Sequence, residues 1–427
     1  MIKYINYNQN KISSKLKKFL SERKKIDQKT LKIVEKIIRD IKKYGDLALT
    51  KYEKKFSNNK TIKPNKNIVN KSIRSLNSDV KKAIDLSYNR IKKFHSLQKI
   101  NNINFKDYLK NKIKYNYVPL DSVGIYVPGG NASFPSTVLM NAIPAKIAGV
   151  RRIVMINPTR NGILSPGVLY AAKKCGIKEI YSVGGAQSIA ALAYGTKKIK
   201  SVDKIVGPGN IYVTEAKKKV FGEVGIDQIA GPSEITIVGD SYSNPEWIAA
   251  DLIGQAEHDI NSQCIFISKD FKLIKMVKKF IVSQLNTLPR KKIAKQSLKK
   301  NGLFIYSKSD KKIIEIVNLI APEHLELNLK NYNKIVRKIK NAGSICLGKY
   351  SAMAITDYNA GTNHILPTNS SARFSSGLSL YDFYKRISLI NLSKKGIETI
   401  GEQAINLANY EGLVGHARSI KVRIRRK

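Results

Sequence analysis

The sequence predicts an α/β protein with mainly parallel β-sheets, and two observations support that fold class. Short apolar runs alternate with segments of helical periodicity from about residue 120 to 350, which is the pattern of repeated βα units. Several of these runs are followed by glycine-rich turns, as strands in βα units often are. The alternating region is long enough for two sheets, each covered by helices on both faces.

Each region of the chain has its own pattern. Residues 1–110 are predicted to be helical, because apolar residues such as Val34, Ile37 and Ile41 recur at roughly helical spacing. From about residue 370 the pattern is helical and polar, and it ends in a tail, 417–427, with six bases and no acid. The predicted strands between these regions are 123–127, 153–156, 179–183, 235–238, 264–267, 303–306 and 344–347.

Composition indicates a globular protein of a reducing compartment. The 42% apolar content excludes a disordered chain. Cys175, Cys264 and Cys346 are far apart and form no CxxC motif, so we expect a cytoplasmic location. No apolar run approaches the ~18 residues that span a bilayer, and the N-terminus has no secretory signal. No membrane partner is therefore expected.

The net charge of +46, from 77 basic and 31 acidic residues, has two interpretations. It could neutralise nucleic-acid phosphates, or it could reflect drift of an A+T-rich coding sequence toward Lys, Asn and Ile. We favour drift, because Lys dominates over Arg and the excess is spread along the whole chain. No zinc-finger, RRM or helix-turn-helix pattern accompanies the charge, so no specific nucleic-acid partner is expected.

Four glycine-rich turns in the middle third of the chain, 128–130, 184–185, 207–210 and 230–233, point to a ligand. Glycine after a strand lets the backbone approach a ligand, and the N-terminus of the following helix favours phosphate. Ordinary βα turns also use glycine and proline, but four within about a hundred residues favour a nucleotide-sized ligand. Because GxGxxG is absent, standard Rossmann dinucleotide binding is not predicted.

Four of the five histidines lie among acids and amides. Gln255 and His258 are three residues apart in a segment of helical periodicity, which would place both on one face. Asp357 adds a carboxylate and His416 a second imidazole. This donor set suits zinc first, with manganese or cobalt as alternatives, and its weak amide ligand favours a catalytic site over a structural one. His95, in the segment 93–96, lacks such acid and amide neighbours and is interpreted as an ordinary core or surface residue.

Glu323 and His324 follow Pro322, and two interpretations stay open. The carboxyl and imidazole groups could both move protons near neutral pH, in two separate roles. Alternatively, Pro322 opens a helix whose first-turn acids complement the helix dipole. On the residues alone, the helix start is the stronger interpretation.

Eight segments together carry a resemblance to a known family. They are VGIYVPGG (123–130), STVLM (136–140), VGGAQSIAALAYG (183–195), KIVGPGN (204–210), AGPSE (230–234), QAEH (255–258), PEHL (322–325) and DYNAGTNHILPT (357–368). With all eight in the family's order, the chain resembles the histidinol dehydrogenases over essentially its whole length, most closely from 120 to 370.

The resemblance implies an NAD-dependent four-electron oxidation of L-histidinol to L-histidine through the aldehyde, the final steps of histidine biosynthesis, with one zinc ion per subunit. It implies that Glu323 activates water and that His324 is the general base. The implied NAD contacts are Tyr126, Gln187 and Asn210. The implied metal ligands are Gln255, His258, Asp357 and His416. The implied substrate contacts are Ser233, Gln255, His258, His324, Asp357, Glu411 and His416.

The resemblance also implies two incomplete Rossmann-like domains and a homodimer that exchanges helical N- and C-terminal arms, so that Glu411 and His416 complete the partner's site. The implied domains are an N-terminal helical arm (1–24), a main α/β domain with the metal and catalytic residues (25–122 and 234–372), a nucleotide-binding α/β domain (123–233) and a C-terminal helical tail (373–427).

One departure from the family pattern is Thr356, which stands where the family has glycine before the metal-ligand Asp357. If that glycine allows an unusual backbone angle, Thr356 strains the loop and weakens the metal site. Three other hypotheses remain: a zinc hydrolase that needs no NAD, a nucleic-acid-binding protein, and an inactive relative.

Overall fold

The computed structural model describes residues 2–7, 12–22, 27–98, 100–129, 133–159 and 161–424. Two compact units are distinguished within the chain: Met1–Leu97 with Asp121–Asp382, and Gln98–Leu120 with Phe383–Lys427. Gly130 of the first glycine turn, residues 23–24 of the predicted arm and residues 425–427 of the basic tail lie outside the described residues.

The helices and strands of the described residues are named here in chain order. The α-helices are α1 (Ile12–Glu22), α2 (Gln28–Tyr44), α3 (Asp46–Ser57), α4 (Lys66–Arg74), α5 (Ser78–His95), α6 (Pro135–Ala148), α7 (Pro166–Lys174), α8 (Gly185–Tyr194), α9 (Ile211–Val220), α10 (Pro245–Ala256), α11 (Phe271–Leu285), α12 (Lys291–Asn301), α13 (Asp310–Ile320), α14 (Asn333–Val336), α15 (Met353–Tyr358), α16 (Lys394–Tyr410) and α17 (Val414–Ile424). The strands are β1 (Lys3–Asn6), β2 (Ile103–Lys106), β3 (Lys112–Pro119), β4 (Ser122–Tyr126), β5 (Arg152–Ile156), β6 (Glu179–Tyr181), β7 (Lys204–Val206), β8 (Gly225–Ile226), β9 (Glu234–Gly239), β10 (Gln263–Ser268), β11 (Gly302–Tyr306), β12 (His324–Asn328), β13 (Ser344–Leu347) and β14 (Tyr384–Asn391).

A six-stranded parallel sheet in the order β1-β11-β10-β9-β12-β13 forms one layer of the first unit. Strands β9 and β10 at its centre are buried on both faces, as parallel strands between two helical layers are. Ile235 and Phe266 pack with α10, α11 and α12, whereas Val238 and Ile265 pack with α1 and α13. The predicted α/β class with parallel sheets is confirmed.

A five-stranded parallel sheet in the order β6-β5-β4-β7-β8 is the second sheet of this unit. Helices α2, α3, α8 and α9 pack on one of its faces, while α4 and α5 contact α6 and α7. Strand order reverses at β4, since β5 lies on one side of it and β7 on the other. In open α/β sheets, ligands bind at such a switch point, beyond the carboxyl ends of the strands.

The second unit contains a three-stranded antiparallel sheet in the order β14-β3-β2, followed by the helix pair α16 and α17. Within it, the Ser393 hydroxyl donates to the Leu109 carbonyl at 2.6 Å, which ties the start of α16 to the loop before β3. The prediction of helix after residue 370 is therefore wrong for β14, whose alternating polar and apolar residues are typical of a strand.

The predicted all-helical region 1–110 is also wrong at two places, because β1 and β2 are strands. Strand β1 is an edge strand beside β11, and Leu16 of α1 is buried against the same sheet. The four domain boundaries and the exchange of arms stay predictions. No helix among the described residues has both the length and the apolar character that crossing a membrane requires.

Candidate functional site

One part of the candidate site lies at the carboxyl ends of β4, β6 and β7. Tyr126, the last residue of β4, is buried, and its hydroxyl accepts a hydrogen bond from the Gly185 amide at 3.2 Å. Turn 184–185 follows β6 and turn 207–210 follows β7. The predicted NAD contacts Tyr126, Gln187 and Asn210 all lie on this edge of the sheet.

The turn after β7 is held in one conformation. Gly207 has φ +107, and a Cβ there would lie 2.3 Å from the Tyr126 carbonyl oxygen, so only glycine fits. The Gly207 amide donates to Asp227 Oδ2 at 2.7 Å, and Lys217 Nζ donates to the Gly207 carbonyl at 3.0 Å. Lys217 and Asp227 also form a buried ion pair, so the backbone of the turn is anchored on both sides.

A buried carboxylate from α3, Glu53, organises the turn after β6. Glu53 Oε1 accepts hydrogen bonds from the Gly184 amide at 2.9 Å and from Gln187 Nε2 at 2.8 Å. Burial raises the pKa of the Glu53 carboxyl, and these hydrogen bonds act in the opposite direction. The sequence carried no signal for this residue, because an acid in an amphipathic helix is ordinarily a solvated one.

Backbone amides at the N-termini of α8 and α9 donate hydrogen bonds to side chains of the protein itself. Glu53 stands at the start of α8, and Asn210 Oδ1 accepts from the Tyr212 and Val213 amides at 3.1 Å each at the start of α9. These hydrogen bonds occupy some of the amides at the two helix starts, and the expectation that a ligand's phosphate binds there stays a prediction. The amide nitrogen of Asn210 remains for a ligand.

The second part of the site lies at the amino ends of β9 and β12 in the six-stranded sheet. Glu323 immediately precedes β12, and its Oε2 accepts a hydrogen bond from the Glu234 amide at 2.7 Å. His324 begins the strand, with its Nε2 3.8 Å from Glu323 Oε1. Ser233 precedes β9 and therefore lies beside Glu234. Glu323 and His324, the predicted acid and base, therefore lie side by side, and Glu323 is hydrogen-bonded to the residue that follows Ser233.

The prediction of a helix start at Pro322 is wrong. Helix α13 ends at Ile320, Ala321 adopts a left-handed conformation with φ +47, and the chain continues directly into β12. Strand β12 pairs with β9 on one side and β13 on the other, and all of its residues are buried. The acids near Pro322 therefore do not complement a helix dipole.

Burial keeps the His324 imidazole neutral at physiological pH. Desolvation lowers its pKa to about 3, and the nearby His364 and His258 act in the same direction. Among the described residues, His324 Nδ1 is buried without a hydrogen-bond partner. A neutral imidazole has a lone pair available to accept a proton, which is what a general base requires.

His364 is one of the four histidines that lie among acids and amides, and the structure places it in the site. Its Nδ1 lies 2.9 Å from the Asp357 carbonyl oxygen, and its Nε2 lies 3.5 Å from Thr137 Oγ1. Burial lowers its pKa to about 4. The ring therefore contacts the backbone that carries Asp357 and stands near His324.

Gln255 and His258 do not share a helical face as predicted, because α10 ends at Ala256 between them. The His258 amide donates to the Gln255 carbonyl at 3.3 Å in a tight turn beyond the helix. Gln255 is buried, and its Nε2 has no hydrogen-bond partner in the described part of the chain. The helix end leaves His258 exposed, in position to face a ligand.

Asp357, in α15, has a carboxylate whose ionised form a neighbouring cation would stabilise. Burial raises its pKa to about 6, and His258 acts to lower it. Thr356 is an ordinary residue of this helix, is absent from the positive-φ positions, and donates from Oγ1 to the Met353 carbonyl at 2.6 Å. The predicted strain at Thr356 is therefore wrong.

The chemistry of these donors fits a divalent metal, although the first unit supplies only part of the predicted set. Within the described ranges, no three His, Cys, Asp or Glu side chains form a metal-binding group. Gln255 contributes an amide, and His258 and Asp357 contribute one group each. Glu411 and His416 belong to the second unit, at the end of α16 and in the first turn of α17, and both are exposed there.

Comparison with known proteins identifies relatives over the full length of the chain. Residues 20–424 match the family model described as histidinol dehydrogenase. The histidinol dehydrogenase of Pelagibacter ubique is 64% identical, covering 100% of both chains, and histidinol dehydrogenase 1 of Trichormus variabilis is 45% identical over 96% of both. The crystal structure of histidinol dehydrogenase from Elizabethkingia anophelis matches with a TM-score of 0.93 at 38% identity, covering 99% of this chain and 98% of that one.

Proposed function

The chain belongs to the histidinol dehydrogenase family, and we propose that Glu323 and His324 perform the proton transfers of its NAD-dependent reaction. That reaction oxidises L-histidinol to L-histidine through the aldehyde and completes histidine biosynthesis. The observation that carries the proposal is the buried pair itself, with His324 Nε2 3.8 Å from Glu323 Oε1. A carboxylate and a neutral imidazole at one place supply the two bases that two chemically different oxidations need.

In the first step, His324 accepts the hydroxyl proton of histidinol while hydride leaves the same carbon for NAD, which gives the aldehyde, NADH and a proton. In the second step, Glu323 takes a proton from a water molecule that adds to the aldehyde, and the protonated His324 returns its proton to the carbonyl oxygen, which gives the hydrated aldehyde. The hydrated aldehyde then loses its second hydride to another NAD, and His324 again accepts the hydroxyl proton. The hydrogen bond from the Glu234 amide orients the Glu323 carboxylate for its role.

The residues that would hold a metal are Gln255, His258, Asp357 and His416, with one ion per subunit. Zinc suits this donor set best, and manganese or cobalt are the alternatives. When bound, the metal would supply an anchor for the amine and imidazole nitrogens of histidinol, and so fix the reacting carbon beside His324. Support comes from the unpartnered amide of Gln255 and from the burial of Asp357. Ser233, His324 and Glu411 would complete the substrate contacts.

NAD is proposed to bind across the β4–β7 switch point, in contact with Tyr126, Gln187 and Asn210. Support comes from the anchored turn 207–210 and from the side chain of Gln187, which Glu53 orients. A nicotinamide cofactor performs the hydride chemistry, whereas the protein supplies orientation and bases. This arrangement favours a dehydrogenase over a zinc hydrolase, because a hydrolase does not require a nucleotide site at the switch point.

We propose that the protein is a cytoplasmic homodimer in which Glu411 and His416 complete the site of the partner. The support is the second unit's own surface, where β14 exposes Ile387, Leu389 and Ile390. Ile387 and Leu389 share one face of the strand, and exposed apolar side chains grouped on one face are typical of a surface that another chain covers. No specific nucleic-acid partner is proposed, because the positive charge is spread along the chain.

We expect two NADH to form per histidinol consumed, with no aldehyde accumulating, because both bases lie at one site. The measurement is NADH absorbance at complete conversion, with an aldehyde-trapping reagent in parallel and a reaction without NAD as the control. One NADH per histidinol, with aldehyde released to solution, contradicts the combined reaction. Conversion of substrate without NAD supports the hydrolase instead.

Replacing Glu53 with alanine should raise the KM for NAD about tenfold or more and change kcat less. The substitution removes an acceptor of two hydrogen bonds to a charged group, each worth roughly 1.5–3 kcal/mol, and frees Gln187 and the Gly184 amide. Glu53→Gln retains a carbonyl oxygen that can accept both, so its KM should stay near that of the wild type.

The matched control for this measurement is Glu223→Ala, which removes an exposed acid elsewhere in the first unit. Steady-state kinetics with NAD as the varied substrate provide the values. An unchanged KM for NAD in a folded Glu53→Ala protein would show that Glu53 does not position the cofactor site.

A further inference from the structure

A carboxyl pair, the half-buried Asp251 and the buried Glu326, lies next to the proposed site and has no part in the reaction as described. Glu326 is 2% exposed in the middle of β12, and its side chain is hydrogen-bonded to that of Asp251 on α10. Two carboxyl groups can be hydrogen-bonded only when one of them donates a proton. The pair is therefore an O–H···O link between strand β12 and helix α10.

Glu326 has a second partner, on a third element. Its Oε1 accepts a hydrogen bond from the Met353 amide at 2.6 Å. Met353 is the first residue of α15, whose early amides have no partner within the helix. Glu326 thus joins β12 to the first residue of α15 as well as to α10.

Each element joined by this pair carries a residue of the proposed site. His324 lies two residues before Glu326, on the same face of β12. Gln255 lies four residues after Asp251, on the same side of α10. Asp357 lies four residues after Met353, on the same side of α15. A shift of any one element would therefore move one site residue relative to the other two.

We propose that Asp251 and Glu326 are positioning residues that hold Gln255, His324 and Asp357 in the geometry needed for metal and histidinol binding. The proposal rests on the site assignments made above. A carboxyl pair in this role differs from a purely stabilising contact, because burying it costs desolvation free energy that an apolar pair would avoid. Its removal should damage the site more than the fold.

The test compares Glu326→Leu with Glu326→Gln. Leucine removes both hydrogen bonds, whereas glutamine keeps them, since its carbonyl can accept from Met353 and its amide can donate to Asp251. Zinc affinity, measured by competition with a chromogenic chelator, should fall about 10- to 100-fold in Glu326→Leu, as is typical when a partner behind the metal ligands is lost. The KM for histidinol should rise more than kcat falls. Glu326→Gln should stay within about twofold of the wild type, given the hydrogen bonds that it keeps.

A thermal unfolding curve for each variant separates a positioning role from loss of the fold. If Glu326→Leu does not fold, Asp251→Leu replaces it, because that change leaves the Met353–Glu326 bond and removes only the link to α10. Zinc affinity and KM unchanged in a folded leucine variant would overturn the positioning role alone. A wild-type chain that binds no zinc would overturn both this inference and the proposed metal site.

Discussion

Replacing Asp357 with alanine is expected to strip the metal and to lower turnover of histidinol by at least about 100-fold, while the fold survives. The loss follows because the metal is proposed to hold the substrate, and a displacement of ~1 Å at the reacting carbon already costs about that factor. The fold should survive because alanine is a good helix former and α15 carries Asp357 in its last turn.

The pKa of Asp357 also predicts how the substitution changes the stability of the metal-free protein. Burial raises the pKa of Asp357 in the folded state to about 6 from its ordinary value of 3.8. A carboxyl whose pKa is higher in the folded than in the unfolded state destabilises the fold. The free energy of unfolding begins to fall as pH rises past the pKa of the unfolded state, and the destabilisation is complete above the pKa of the folded state. At pH 7, the metal-free Asp357→Ala protein should therefore be at least as stable as the metal-free wild type.

Metal content by elemental analysis, chelator-treated unfolding curves and NADH formation from histidinol test these expectations together. The control is Asp79→Ala, which removes a carboxylate whose side chain is 87% exposed. His258→Ala should behave like Asp357→Ala in metal content and turnover. Full zinc occupancy in either variant would remove that residue from the ligand set.

The parallel sheets could be predicted from the sequence because buried parallel strands are continuous apolar runs. The runs at 235–238 and 264–267 fall within β9 and β10, which are buried on both faces. Strands β1, β2 and β14 were missed because they are largely exposed, and the polar residues in them gave no continuous run.

The site was predictable only in part, and β12 shows why. This strand reads His-Leu-Glu-Leu-Asn, and its polar residues suggested solvent or a helix start. The structure instead buries all five of its residues, because Glu326 finds partners in Asp251 and the Met353 amide. Those partners are distant in sequence, and the residues around Glu326 do not predict them. The same holds for Glu53, whose partners Gly184 and Gln187 lie in another segment.

Replacing Glu323 with glutamine should leave oxidation of histidinol to the aldehyde largely intact and slow oxidation of the aldehyde by ~10²–10⁴-fold, the usual cost of a lost general base. The first step needs no water, whereas the second begins with addition of water to the aldehyde. Glutamine retains a carbonyl oxygen that can accept from the Glu234 amide, as Glu323 Oε2 does at 2.7 Å. The anchor is therefore kept and only the base is removed.

His324→Gln is the matched comparison, and it should impair both steps, because each hydride leaves a carbon whose oxygen must lose a proton. The experiment supplies histidinol and the aldehyde separately and measures single-turnover NADH formation for each variant. Water activation is assigned to Glu323 if Glu323→Gln slows the aldehyde reaction relative to the histidinol reaction and His324→Gln does not change that ratio. Since no helix begins at Pro322, the remaining alternative is that Glu323 only anchors the start of β9 through Glu234. An equal loss on both substrates in Glu323→Gln would favour that structural role.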